Sequence, residues 1–123
     1  MKLSKTEEQL MDIIWKYEQV FFKEIIESYP EPKPASTTVA TLLKRIQDKG
    51  FINYKLFGNS RQYYPLVKKE DYFSKSLKEI VKDYFNDSSL QFASFFTKNS
   101  EMTADELEDL KRIVEQELNK KKR

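Results

Sequence analysis

Thr37, Thr38, Ala40 and Thr41 place four short side chains at the start of one segment, and the bases Lys44 and Arg45 follow directly. Hydroxyls can donate or accept hydrogen bonds, methyls can touch the thymine methyl, and short stems let a helix approach base edges closely. Cations a turn further on can meet phosphates and fix orientation. The pattern therefore suits contact with a nucleic-acid groove, although threonines at a helix start also cap backbone and a Lys-Arg pair also serves as solvated surface. Lys55 and Arg61 flank a second polar cluster, Gly58, Asn59 and Ser60, which suits a DNA backbone or minor groove. Tyr54, Tyr63 and Tyr64 admit stacking on unpaired bases, but their alternating context favours strand formation with some of them in the core.

These residues need elements to hold them. Val39, Leu42, Leu43 and Ile46 have the spacing of a buried helix face. A rotation of about 100° per residue then turns Thr37, Thr41, Lys44 and Asp48 outward, with Thr38, Ala40 and Arg45 flanking. Ser36 is the expected cap and Gly50 the expected stop. From Phe51 the period becomes two: Ile52, Tyr54 and Leu56 alternate with Asn53, Lys55 and Phe57, Gly58-Asn59-Ser60 turns the chain, and Arg61 to Tyr64 returns as a β-hairpin. Upstream, a Ser4/Glu7 capping box opens a helix from about Lys5 to Tyr17 carrying Leu10, Met11 and Ile14. Phe22, Ile25, Ile26 and Tyr29 mark a second helix, closed by Pro30, Pro32 and Pro34.

Beyond Pro65 the pattern is helical again, with Phe73, Leu77, Ile80, Val81 and Tyr84 along one side and a break at Asn86 to Ser89. A short apolar helix over Leu90 to Thr97 contains Leu90, Phe92, Phe95 and Phe96. Thr103 and Glu106 box the start of a last helix striped by Leu107, Leu110, Val114 and Leu118. The expected fold is mostly α with a small β-hairpin wing: a winged helix-turn-helix domain over residues 1–69 and a helical dimerisation domain over 70–123. Three helices have little depth in which to bury so many aromatic and aliphatic side chains, so the stripes predict a homodimer. The dimer-forming residues would be Phe73, Leu77, Ile80, Tyr84, Leu90, Phe92, Phe95, Phe96, Leu107, Leu110, Val114 and Leu118.

Composition narrows the chemistry. The 123 residues include neither cysteine nor histidine, which removes disulfides, thiolate nucleophiles and the commonest metal and imidazole-base sites. No acid pair, nucleophile with its base, or phosphate loop is visible, so neither an enzyme nor a cofactor or metal is expected. Net charge is +2, yet Ser36 to Val67 holds five bases against Asp48 alone, a local +4, whereas twelve bases and twelve acids cancel from Lys68 onward. A basic segment on a nearly neutral chain points to one polyanion contact. No apolar run would cross a bilayer and the start, Met1, Lys2, Leu3, has no signal-peptide core, so a cytoplasmic protein is expected.

The order of residues also carries a resemblance. The run Thr38 to Ile46, then Lys49-Gly50-Phe51-Ile52, then Tyr63 to Val67, together with Glu8 to Trp15, resembles the penicillinase-repressor (BlaI/MecI/CopY) family over essentially the whole length. The resemblance implies a homodimeric winged-helix repressor on an inverted-repeat operator. Thr37, Thr38, Ala40 and Thr41 would read the groove, with Lys44, Arg45 and Arg61 on phosphates. Ala40 stands where the family often has a base, and Ala35 where a hydroxyl cap is usual. The cysteine cluster of copper-responsive members is absent. In β-lactam-responsive members a membrane sensor leads to proteolysis at an Asn-Phe bond, whose nearest counterpart here is Ser94-Phe95. The competing expectation is a winged-helix module that docks on protein. Salt separates the two, since phosphate contacts weaken steeply as salt rises.

Overall fold

A computed structural model describes residues 2–123. The first helix, α1 (Lys5–Tyr17), begins where the Ser4 hydroxyl accepts from the Glu7 amide and the Glu7 carboxylate accepts from the Ser4 amide, the expected capping box. A two-residue strand, β1 (Val20–Phe21), leads into α2 (Phe22–Ser28), and α3 (Ser36–Asp48) follows the proline-rich loop. The hairpin strands are β2 (Ile52–Phe57) and β3 (Ser60–Pro65), and the sheet order is β1-β3-β2, antiparallel throughout. Three helices complete the chain: α4 (Lys69–Tyr84), α5 (Ser89–Asn99) and α6 (Ala104–Lys121), the last opened by the Thr103/Glu106 capping box. Three helices with a hairpin after the third make a winged helix.

The core of this first half is assembled from the periodic positions. Leu10, Met11 and Ile14 of α1 meet Ile25 of α2, the stripe Val39, Leu42, Leu43 and Ile46 of α3, and Val20, Ile52 and Tyr63 of the sheet. Tyr72 ties the start of α4 to the same core: its hydroxyl accepts from the Leu3 amide at 3.1 Å and donates to Glu8 at 2.9 Å, and its ring packs on Trp15 and Phe51.

Three local expectations need correction, and one element was missed. The cap of α3 is Ala35 rather than Ser36, which is the first helical residue, so no side chain closes this helix end. The hairpin loop is two residues, Gly58 and Asn59, because Ser60 already pairs with Phe57. Gly58 takes a positive φ of 61°, which a two-residue loop with glycine first requires. Leu56, expected with Ile52 and Tyr54, is exposed because the wing extends past the body it packs on. Finally, β1 was not legible, since two residues give no period to read.

The chain divides into two compact units, Met1–Ser76 and Leu77–Arg123, a boundary several residues into α4 rather than at 69/70. In the second unit Asn86 and Asp87 take positive φ, at 53° and 59°, and turn the chain between α4 and α5. Phe85 packs on Phe92 and Phe95, and Phe92 stacks on Phe96. Val81 is the only buried residue of this unit. No helix of the described residues is long and apolar enough to cross a membrane.

Candidate nucleic-acid interface

On α3 the residues opposite the core stripe are all exposed: Thr37, Thr38, Ala40, Thr41, Lys44 and Arg45. The Thr41 hydroxyl donates to the Thr37 carbonyl at 2.9 Å, so toward a base edge it has lone pairs and a methyl to offer, but no proton. Lys44 lies 4.0 Å from Asp48 with both side chains mostly in solvent, a pair too weakly held to withdraw Lys44 from an incoming phosphate.

Lys49, counted in the local basic excess, is not free. Its ammonium is 2.7 Å from the Glu7 carboxylate, which is almost fully buried. Burial alone would raise the Glu7 pKa, but the Lys49 hydrogen bond and those with Ser4 outweigh it and hold the carboxyl below its ordinary value. This pair fastens the end of α3 to the start of α1.

The wing does not present its two cations together. Arg61 pairs with Leu56, and Lys55 with Gln62, so the two project from opposite faces of the hairpin. The guanidinium of Arg61 lies 4.3 Å over the Tyr54 ring, a stacked position suited to its planar cation. Arg61, Asn59 and Ser60 line a cavity of about 450 Å³ whose other walls include Ala40 of α3 and Phe22 and Lys23 of α2. Helix α3 and the wing thus share one groove. Lys55 lies over Tyr64, on the other face, beside a wider cleft of about 1100 Å³ with Trp15, Lys16 and Lys68. Tyr63 is buried and Tyr54 and Tyr64 partly so, which favours their role as strand residues over free stacking platforms.

Lys23 is the basic residue of the groove that sequence reasoning missed. It comes beside Arg61 because β1 pairs with β3 at Val20↔Tyr63 and Phe21↔Gln62, a contact across some forty residues with no local signal. Among the described residues no group of three or more His, Cys, Asp or Glu side chains is placed to hold a metal ion.

The second unit exposes its apolar stripes. Leu77, Ile80, Tyr84, Leu90, Phe95, Phe96, Leu107, Val114 and Leu118 are all open, Tyr84 at 77% and Leu90 at 80%, while Phe92 and Leu110 are half-buried. Ile113, not singled out from the sequence, is exposed as well. Phe73 belongs to the first unit, against Trp15 and Tyr72. The bond between Ser94 and Phe95 lies inside α5, and the Ser94 carbonyl accepts from the Thr97 hydroxyl at 3.1 Å.

Known proteins are similar to this chain. Residues 3–116 match the penicillinase repressor family. A methicillin resistance regulatory protein MecI of Staphylococcus aureus is 31% identical over 114 residues, 92% of this chain and 93% of that protein. A penicillinase repressor of Bacillus licheniformis is 25% identical over 122 residues, 98% of this chain and 95% of its own. The solution structure of the DNA-binding domain of the repressor BlaI superposes with a TM-score of 0.52 at 28% identity, covering 58% of this chain and 88% of that one. The chain belongs to the penicillinase-repressor family.

Proposed function

We propose that the chain is a sequence-specific transcriptional repressor that binds an inverted-repeat DNA operator as a homodimer. One observation carries the reading: Thr37, Ala40, Thr41 and Lys44 form an exposed face of α3, and Ala40 at its edge lines a groove with Lys23 and Arg61. Short side chains centre the face where base edges would lie, and cations flank it where phosphates would run. Arg45 and the wing-tip Asn59 and Ser60 extend the contact, while Lys55, on the outer face of the wing, contributes at most to the surrounding field.

The exposed stripes of α4, α5 and α6 are the proposed dimer surface. A twofold dimer would set two reading helices about one turn of DNA apart, multiplying modest half-site affinities. The names of the relatives support control of a β-lactam-resistance or related operon. Proteolysis at Ser94-Phe95, downstream of a membrane sensor, is the proposed switch. Because this bond is helical, α5 must open locally before a protease can take it, so cleavage should follow the population of an opened α5.

The test is selection of duplexes from a randomised library by the full-length chain, followed by titration at several salt concentrations. A recovered inverted repeat and a steep loss of affinity with salt are expected. No sequence enrichment, or a shallow slope, would sink the proposal.

A further inference from the structure

We propose that Leu56 is a minor-groove wedge: when α3 lies in the major groove, this side chain enters the neighbouring minor groove beside Arg61 and partly unstacks one base step of each half-site. The inference rests on the DNA-binding reading above and adds to it a residue that selects sequence through the deformability of DNA. Leu56 is 64% exposed, near the tip of a hairpin that extends past the body it packs on. Exposure alone is ordinary for a leucine. The setting of this one is not.

The wing carries two large apolar side chains near its tip, and they are placed differently. Phe57 belongs to the outer face and has a partner, since its ring meets that of Phe21 edge-on at 5.8 Å. Leu56 belongs to the face of Ile52, Tyr54 and Arg61. Ile52 and Tyr63 of that face are closed into the core and Tyr54 partly so, whereas Leu56, the last of its row in β2, lies beyond the core cluster. Arg61 stands directly across from it, yet the guanidinium leans back toward the body, 4.3 Å over the Tyr54 ring. Leu56 is therefore left as the foremost side chain of this face, with a held cation just behind it and the polar Asn59 and Ser60 just ahead.

Duplex DNA is the occupant this set fits. Arg61, Asn59 and Ser60 line the groove that Ala40 of α3 also lines, so the Leu56 and Arg61 end of the wing continues the proposed interface. With α3 in the major groove, a hairpin that projects past the body reaches the adjoining minor groove, about 6 Å wide, which admits an aliphatic side chain and attracts arginine by its negative potential. A wedge pushed between two base pairs costs stacking energy, and that cost is smallest at the flexible pyrimidine–purine steps TA and CA/TG. Selectivity then arises at a step where no hydrogen bond reads a base.

The test uses the full-length chain on its library-selected duplex, probed with permanganate, which oxidises thymines whose faces are unstacked. The parent should raise thymine reactivity at one step per half-site, favour TA or CA/TG there, and bend the duplex by roughly 20° or more, read as energy transfer between its ends. Leu56→Ala should abolish the added reactivity, flatten the step preference and weaken binding roughly tenfold with the salt slope unchanged, since no cation is lost. Arg61→Ala should instead lower the slope by about 0.9. Leu56→Met, which keeps an apolar stem, should restore the reactivity. Because Leu56 is mostly in solvent, Leu56→Ala should melt at the parent's temperature, so a loss of fold cannot imitate the effect. The inference is overturned if the parent leaves every step stacked, if Leu56→Ala keeps the reactivity or melts lower, or if Leu56→Ala raises the dimer dissociation constant without DNA, which would make a second copy the cover of this face. A parent chain that binds no duplex would overturn the DNA-binding reading itself, a separate result.

Discussion

The two units of the chain use similar apolar stripes to opposite ends. In the first, Leu10, Ile14, Leu43 and Ile46 are closed away completely, and even the buried Glu7 has its counter-charge. In the second, Leu90, Phe95, Val114 and Leu118 fall on helices just as regular, yet they stay open to solvent. The stripe says that a helix face must be covered but not by what. Where sheet and helices converge from all sides the covering is internal. Where three helices follow one another with a small cluster of Phe85, Phe92, Phe95 and Phe96 among them, a second copy is the proposed covering.

The largest test of this contrast is to remove the open half. A chain ending at Ser76 should keep the winged-helix core yet lose on the order of 100-fold or more in operator affinity, as the dimer's effective concentration disappears. Equal binding by the two lengths would refute the dimer reading. Next in size, Ile14→Ala should cost about 3 kcal/mol of stability, whereas Leu118→Ala should barely move the unfolding of the first unit and should raise the dimer dissociation constant. Chemical denaturation and sedimentation equilibrium read these two effects separately, and similar stability losses for both variants would erase the distinction.

A smaller effect attaches to the Glu7–Lys49 pair. Lys49→Ala should cost roughly 2 kcal/mol, less than for a fully buried pair because Lys49 keeps some contact with water. The Glu7 pKa is lowered in the folded state, so its contribution is present above the unfolded value of about 4.3 and is lost as pH falls through the lower folded value. Acid unfolding of the parent should show this loss, and Lys49→Ala should show it weakened. The smallest effect expected is that of Lys55→Ala, on the outer face of the wing, which should alter the salt slope of binding less than Arg61→Ala does. Equal slopes for these two variants would mean that the two faces of the wing are not distinguished by DNA.

Much of this was legible in order and period. The capping boxes at Ser4 and Thr103, the stop at Gly50 and the apolar stripes each depend on residues within a turn or two, so composition and spacing suffice. The wing shows how little error the rest tolerates. Reading Gly58-Asn59-Ser60 as a three-residue turn leaves Lys55 and Arg61 on one face, and moving Ser60 into the strand puts them on opposite faces, because side chains alternate with period two.

The sequence by itself determined helix α3, its outward threonines, the hairpin and the apolar surplus of the second half, all set by local periodicity. Only the tertiary structure decided that Lys49 belongs to Glu7 and that Lys23 joins Arg61 beside Ala40. Those facts depend on which distant elements meet, and contacts across forty residues are settled by the packing of the whole core, which no local pattern encodes.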